Sequence, residues 1–158
     1  METRDYLTVI GIAVTLFLFL WKLSFDRNLA KVRETISYLE KRSDKLSDLW
    51  QYVKAVPSTP QPIAQLDDKV LTVGFQQLEL IAYLVSRDAF DEEAVYQVCW
   101  FHFTEPLKNT NLDNWFKNKR GVDTAIYNHY EWLATRWQAR VANERIGNPP
   151  KRRRWPFG

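Results

Sequence analysis

The sequence predicts an all-α protein that consists of an N-terminal transmembrane helix, a long membrane-proximal helix and a small antiparallel helical bundle. Three observations predict this class. Residues 6–25 open with sixteen residues that carry no charge. Most of the remaining chain repeats apolar residues at spacings of three and four, the helical period. No stretch alternates convincingly at period two, so no sheet is expected. The predicted segments are a transmembrane signal-anchor (1–26), a membrane-proximal amphipathic helix (27–56), a Pro-rich connector (57–66), a helical bundle domain (67–147) and a basic-aromatic tail (148–158).

The first segment, YLTVIGIAVTLFLFLWKLSF, is interpreted as a membrane anchor. With its flank it reaches about the 20 residues that a helix needs to cross a bilayer. Tyr6 and Trp21 bracket it as interfacial aromatics, and Lys22 can extend to the headgroups.

The charges around this segment predict its orientation. Basic residues are concentrated after it, among them Lys22, Arg27, Lys31 and Arg33. The positive-inside rule then places the N-terminus outside and the rest of the chain in the cytoplasm, as in a single-pass protein of a bacterial inner membrane. Because FLFLWKLSF offers no small-x-small cleavage site, we expect a retained signal-anchor.

Residues 27–54 contain no Gly or Pro and are predicted to form one helix with an apolar seam at heptad spacing. The seam residues are Leu29, Val32, Ile36, Leu39, Leu46, Trp50 and Val53. One interpretation is that the seam packs against the protein's own domain. The other is a homo-oligomeric coiled coil. Leu49 and the other residues beside the seam are too mixed to specify a partner.

After the connector PSTPQP, whose three prolines exclude a helix, four further helices are predicted. They lie near residues 67–87, 91–105, 112–119 and 123–145. Asp91 and Asp123 are expected to cap the second and the last of them. The helix over 67–87 has the widest apolar stripe and should be central.

The tail KRRRWPFG combines charge with aromatic rings at Lys151, Arg152, Arg153, Arg154 and Trp155. This composition suits contact with anionic lipid or with nucleic acid, and it equally suits a solvated, disordered end. Residues 61–147 hold nine Lys/Arg and twelve Asp/Glu, a charge of −3. A mildly acidic body argues against nucleic acid as the partner.

The strongest candidate for chemistry is a group of His102, Glu105 and His129, with Glu79 as a fourth ligand. Two histidines and a carboxylate would suit zinc or iron. Because aromatic residues surround both histidines, the alternative is that they are packing residues. Cys99 and His102 share a helix face, but no orienting acid or oxyanion loop accompanies them. We therefore assign no catalytic residue, metal, cofactor or small-molecule substrate.

Three stretches resemble a known family: LELIAYLVSRDAFDEEAVY, the preceding FQQ, and YEWLATRW. The family consists of small bacterial proteins with one N-terminal membrane span and a cytoplasmic helical domain of unknown function. The matching residues are Glu79, Ala82, Asp91, Glu92, Tyr96, Trp132, Leu133 and Trp137, whereas Gln76 and Gln77 stand where an Asn-aromatic pair is expected. The resemblance implies the fold and the anchor. It implies no reaction and no ligand.

The function predicted from these features is a membrane-anchored interaction or scaffold module that acts by assembly at the inner membrane. Its expected partners are membrane lipids and a protein, which includes a second copy of the chain. Two alternatives stay open. One is a metal-dependent enzyme with a site near His102, Glu105 and His129. The other is binding of anionic lipid or nucleic acid through the tail.

Overall fold

The computed structural model describes the backbone of residues 3–145 and the side chains of residues 14–144. These residues form six α-helices and two short 3-10 turns, and they contain no strand. The helices are α1 (Thr3–Lys41), α2 (Ser43–Ala55), α3 (Asp68–Ser86), α4 (Glu92–Thr104), α5 (Thr110–Val122) and α6 (Asn128–Arg145). The 3-10 turns are Ile63–Gln65 and Pro106–Lys108.

Helix α3 is the centre of the bundle. It packs against α2 on one side and α6 on the other, while α4 packs against α6 and against α1. The ring of Phe75 on α3 contacts four further aromatic rings from α5, α6 and the turn before α6, with centroids 5.0–5.8 Å apart: Trp115, Phe116, Tyr127 and Tyr130. Such aromatic pairs contribute more than their buried area alone. One of the seven tryptophans and two of the seven tyrosines of the sequence lie in this cluster.

The packing of α2 on α3 depends on Gly74. Leu49 of α2 is only 1% exposed and lies directly over this glycine. A Cβ built at position 74 would lie 2.7 Å from Leu49 Cδ1 and 2.8 Å from Leu49 Cβ. The two helices therefore approach as closely as they do because position 74 has no side chain.

The connector is held to the start of α5 by two asparagines. The side-chain amide of Asn111 donates to the carbonyls of Pro57 and Thr59, and its oxygen accepts the backbone N–H of Gln61. The side chain of Asn109 donates to the Val56 carbonyl. Residues before and after the connector consequently share one core.

The last helix begins later than the sequence predicts. Asp123 is the C-terminal cap of α5, and α6 begins at Asn128. Between them the chain turns through Tyr127, whose φ of 59° is incompatible with a right-handed helix. Asp123 still forms a local cap, because its carboxylate accepts the backbone N–H of Ala125.

The predicted membrane anchor is wrong. Among the described residues, no helical stretch combines the length and the apolar character that a bilayer crossing requires. About 20 predominantly apolar residues are needed for a span. The transmembrane helix of the predicted fold, the signal-anchor and the single-pass placement in an inner membrane depended on that span and are corrected together.

Candidate functional site

An exposed apolar segment of α1 is the most unusual surface of the described residues. Every described side chain from residue 14 to residue 24, which we call the apolar arm, is exposed. Eight of these side chains are large and apolar, and each is 50–68% exposed: Val14, Leu16, Phe17, Leu18, Phe19, Leu20, Trp21 and Leu23.

The apolar arm carries two stripes on opposite sides of the helix. One consists of Val14, Phe17, Leu18 and Trp21, and the other of Leu16, Phe19, Leu20 and Leu23. Each stripe follows the i, i+3, i+4, i+7 spacing of residues on a common helix face. A helix that is apolar on all sides is normally found covered, and a large exposed apolar patch marks an interaction site.

The other half of α1 holds the apolar arm to the bundle. Thr35 is fully buried, and its hydroxyl accepts the backbone N–H of Asp91 at the start of α4, at 3.1 Å. Lys31 forms an ion pair with Asp88 between α3 and α4. Thr35 lies 21 residues after Val14, so Val14 is about 30 Å along the helix axis from this attachment.

The predicted seam residues fall into two groups that differ in burial. Leu39, Leu46 and Val53 belong to the core. Trp50 packs its ring edge-on against Phe101, with centroids 4.9 Å apart. Leu29 and Val32 are half-buried, and Ile36 is 39% exposed. The part of the seam from Leu39 onward is therefore covered within the chain, whereas the part before Leu39 continues the line of the apolar arm.

The burial of Leu49 differs from the prediction. The heptad pattern predicts a position beside the seam, yet Leu49 is among the most buried leucines. The spacing of Leu46, Leu49 and Val53 at three and four is itself a helical stripe and could have indicated this.

The three residues proposed as metal ligands each have other surroundings in the described structure. Burial of His102 beside Trp50 lowers its pKa to about 4, and its Nδ1 has no hydrogen-bond partner among the described residues. Glu105 pairs with Lys108 at 2.6 Å. His129 pairs instead with Glu79, its Nδ1 lying 2.7 Å from Oε1. Within the described part of the chain, no group of three or more His, Cys, Asp or Glu side chains could hold a metal ion.

The Cys99–His102 pair also lacks the features of a nucleophilic site. Cys99 is 1% exposed, and burial raises the pKa of its thiol to about 12. The thiol is therefore protonated at neutral pH, whereas a nucleophilic cysteine acts as the thiolate.

Glu79 lies in a groove between α3 and the start of α6. Its carboxylate accepts the backbone N–H groups of Tyr130 at 2.7 Å and of His129 at 3.3 Å. The groove beside it, which we call the α3–α6 groove, has a volume of about 410 Å³. It is lined by Gln76, Glu79, Leu80 and Tyr83 of α3, and by residues 125–127 and His129.

Several predicted site residues cannot be placed. The side chain of Tyr6 lies outside the residues whose side chains are described. The same holds for the predicted lipid or nucleic-acid contacts Lys151, Arg152, Arg153, Arg154 and Trp155. Trp21 and Lys22 are exposed on the apolar arm.

Comparison with known proteins gives one match. No curated protein and no solved structure matches the chain. The family described as "Domain of unknown function (DUF4760)" matches residues 8–137. The match confirms the resemblance at the level of a domain of unknown function, and it says nothing about a membrane or a bacterial source. The chain belongs to the DUF4760 family.

Proposed function

We propose that this protein is an interaction module that acts by self-assembly, with the apolar arm buried against a second copy of the chain. The observation that carries the proposal is the exposure of eight large apolar side chains on one segment of α1. No described part of the same chain buries them.

The size of the surface supports this role. Phe17, Phe19 and Trp21 are 58–68% exposed. Since an aromatic side chain buries about 150–250 Å² when covered, these three residues alone offer on the order of 300–400 Å². A standard interface buries about 800 Å² on each partner. The five aliphatic side chains of the apolar arm and the half-buried part of the seam supply further area.

The small number of charges supports burial of the apolar arm in an interface. Lys22 is the only charged residue of the apolar arm, so covering the segment with an apolar surface of another copy desolvates few charges. Ile36, Val32 and Leu29 extend the apolar line toward the body, so contact with a partner is not limited to the arm.

The two alternative functions have less support. For the metal-dependent enzyme, the described residues offer no group of three His, Cys, Asp or Glu side chains that could hold a metal ion. Binding of anionic lipid or nucleic acid through the tail depends on residues outside the described part of the chain, and it stays a prediction.

The test compares the full-length chain with a double variant, Phe17→Asp/Phe19→Asp, which places a charge on each stripe. Sedimentation in detergent-free buffer should show a concentration-dependent oligomer for the native chain and a monomer for the variant. Ser37→Asp/Ser47→Asp is the control, because it adds the same charge at exposed positions outside the apolar arm.

Three results would overturn the proposal. The first is a monomeric native chain, and the second is a double variant that assembles as the native chain does. The third is a native chain that floats as a monomer with neutral lipid vesicles, because lipid and not protein would then cover the apolar arm.

A further inference from the structure

We propose that the apolar arm of one copy docks into the α3–α6 groove of another copy. This inference rests on the proposed function and specifies which two surfaces meet. It predicts a pairing of unlike surfaces and not a contact between two arms.

The outer face of α3 is the first part of the argument. Val73, Leu80 and Tyr83 are each 38% exposed. Their spacing of seven and three places them on one side of the helix, over about 15 Å. Leu80 and Tyr83 also line the α3–α6 groove, together with residues 125–127. Of this apolar side of α3, the part from Leu80 to Tyr83 therefore belongs to the groove.

The apolar arm has the matching form. Leu16, Phe19, Leu20 and Leu23 repeat at the i, i+3, i+4, i+7 spacing by which a helix inserts its apolar face into a groove.

The charges of the two surfaces are complementary. The arm carries one cation, Lys22, while Glu79 is the acidic residue among those that line the groove. The Glu79 side chain keeps 24% of its surface exposed although it caps α6. Opposite charges at the two surfaces would favour one register of docking.

Because the two stripes lie on opposite sides of the arm, contact between two arms is not sufficient to bury both of them. Two arms that pack side by side cover one stripe each, and the second stripe of each arm stays exposed. A groove on the partner's body supplies a separate apolar surface for such a stripe. The α3–α6 groove offers it through Leu80, Tyr83 and Ile126.

The test uses the full-length chain with Leu80→Asp, and with Ala125→Asp as a second groove variant in an exposed turn. Each should raise the dissociation constant of assembly about tenfold or more, since a charge would be buried in an apolar contact. Val98→Asp is the matched control. Val98 is 48% exposed on α4, outside the groove, and this variant should assemble as the native chain does. Helical circular dichroism confirms that each variant is folded.

A mixing experiment then identifies the pairing. Phe17→Asp/Phe19→Asp keeps an intact groove, and Leu80→Asp keeps an intact arm. Each should be defective alone, and an equimolar mixture should form a mixed complex through the one intact arm and the one intact groove.

The outcomes separate the two proposals. If both groove variants assemble as the native chain does while the arm variant is monomeric, the groove inference is overturned and self-assembly through the arm survives. A mixture that stays monomeric also overturns the inference. A native chain that is itself monomeric overturns both.

Discussion

The carboxylate of Glu79, on α3, accepts the backbone N–H of Tyr130, in the first turn of α6, at 2.7 Å. The same carboxylate accepts the N–H of His129 and lies 2.7 Å from the His129 Nδ1. The first N–H groups of a helix have no partner within the helix. Here the cap is supplied by Glu79 of another helix, which precedes Tyr130 by 51 residues in the chain. Glu79 therefore fixes where α6 begins relative to α3.

Replacing Glu79 should test this tertiary cap. We expect Glu79→Ala to lower the free energy of unfolding by about 1–2 kcal/mol, the upper range for loss of a helix cap, because two backbone N–H groups lose their acceptor. Glu79→Gln should cost less, since the amide oxygen can still accept. Urea unfolding measures both variants. Glu34→Ala, at an exposed position of α1, is the control. Equal losses in Glu79→Ala and Glu34→Ala would contradict the capping role.

Gly74→Ala should separate α2 from α3. The new methyl group would meet Leu49 Cβ at 2.8 Å, and this atom cannot rotate away because it is attached to the backbone. Overpacking costs about 1–3 kcal/mol, and the better helix propensity of alanine offsets about 1 kcal/mol of that. We expect a net loss of up to about 2 kcal/mol in chemical denaturation.

Gly121→Ala is the matched control for Gly74→Ala. A Cβ at position 121 of α5 would meet nothing within 4 Å. This variant should be neutral or more stable by up to about 1 kcal/mol. If the two alanine variants behaved alike, close packing at Gly74 would not be the reason for the loss.

His102 should make the stability of the fold depend on pH. Burial lowers its pKa to about 4 in the folded chain, from about 6.5 in the unfolded chain. Between these values the unfolded state binds more protons, so stability rises with pH. The free energy of unfolding is not reduced by His102 above pH 6.5. As the pH falls toward 4, protonation of His102 in the unfolded chain lowers it by about 3 kcal/mol in all.

The measurement is the free energy of unfolding against pH for the native chain and for His102→Leu. Since carboxylates also titrate in this range, the informative quantity is the difference between the two curves. The native chain should lose stability more steeply below pH 6.5. Parallel curves would show that folding does not lower the pKa of His102.

The stability of the fold should fall even when Arg140 is replaced by lysine. Its guanidinium donates two hydrogen bonds to Glu93 and one to Glu144, and it lies 3.5 Å from the centroid of the Tyr96 ring. The hydroxyl of Tyr96 donates to Glu144. Burial of Tyr96, together with this hydrogen bond, raises the pKa of Tyr96 to about 12. Lysine keeps the charge but loses the planar, bidentate geometry.

We expect Arg140→Lys to cost about 1–2 kcal/mol, because a partly buried, multiply bonded pair is stronger than an exposed one. Thermal unfolding measures it. Arg136→Lys is the control on the same helix, since the Arg136 side chain is 57% exposed and has a single ion pair with Glu92. A melting temperature lowered equally in both variants would show that the arrangement around Arg140 adds nothing.

The candidate site was only partly predictable from the sequence. The apolar character of residues 14–24 is visible in the sequence, but it was interpreted as part of a membrane span. The α3–α6 groove was not predicted at all. It combines residues of α3 with the turn at residues 125–127, and that turn depends on the positive φ of Tyr127. Only the partnership of Glu79 with His129 was anticipated, as two ligands of a metal site and not as a helix cap.

By itself, the sequence determined those features whose causes are local. The helical period and the capping acids place α3 and α4 within a residue or two of their ends, because each cap forms between residues two or three apart. The tertiary structure decided the rest. It buried Leu49 against Gly74, assigned Glu79 to α6 and moved the start of that helix to Asn128. Each of these results depends on a contact between residues far apart in the chain, and only packing of the helices brings such residues together.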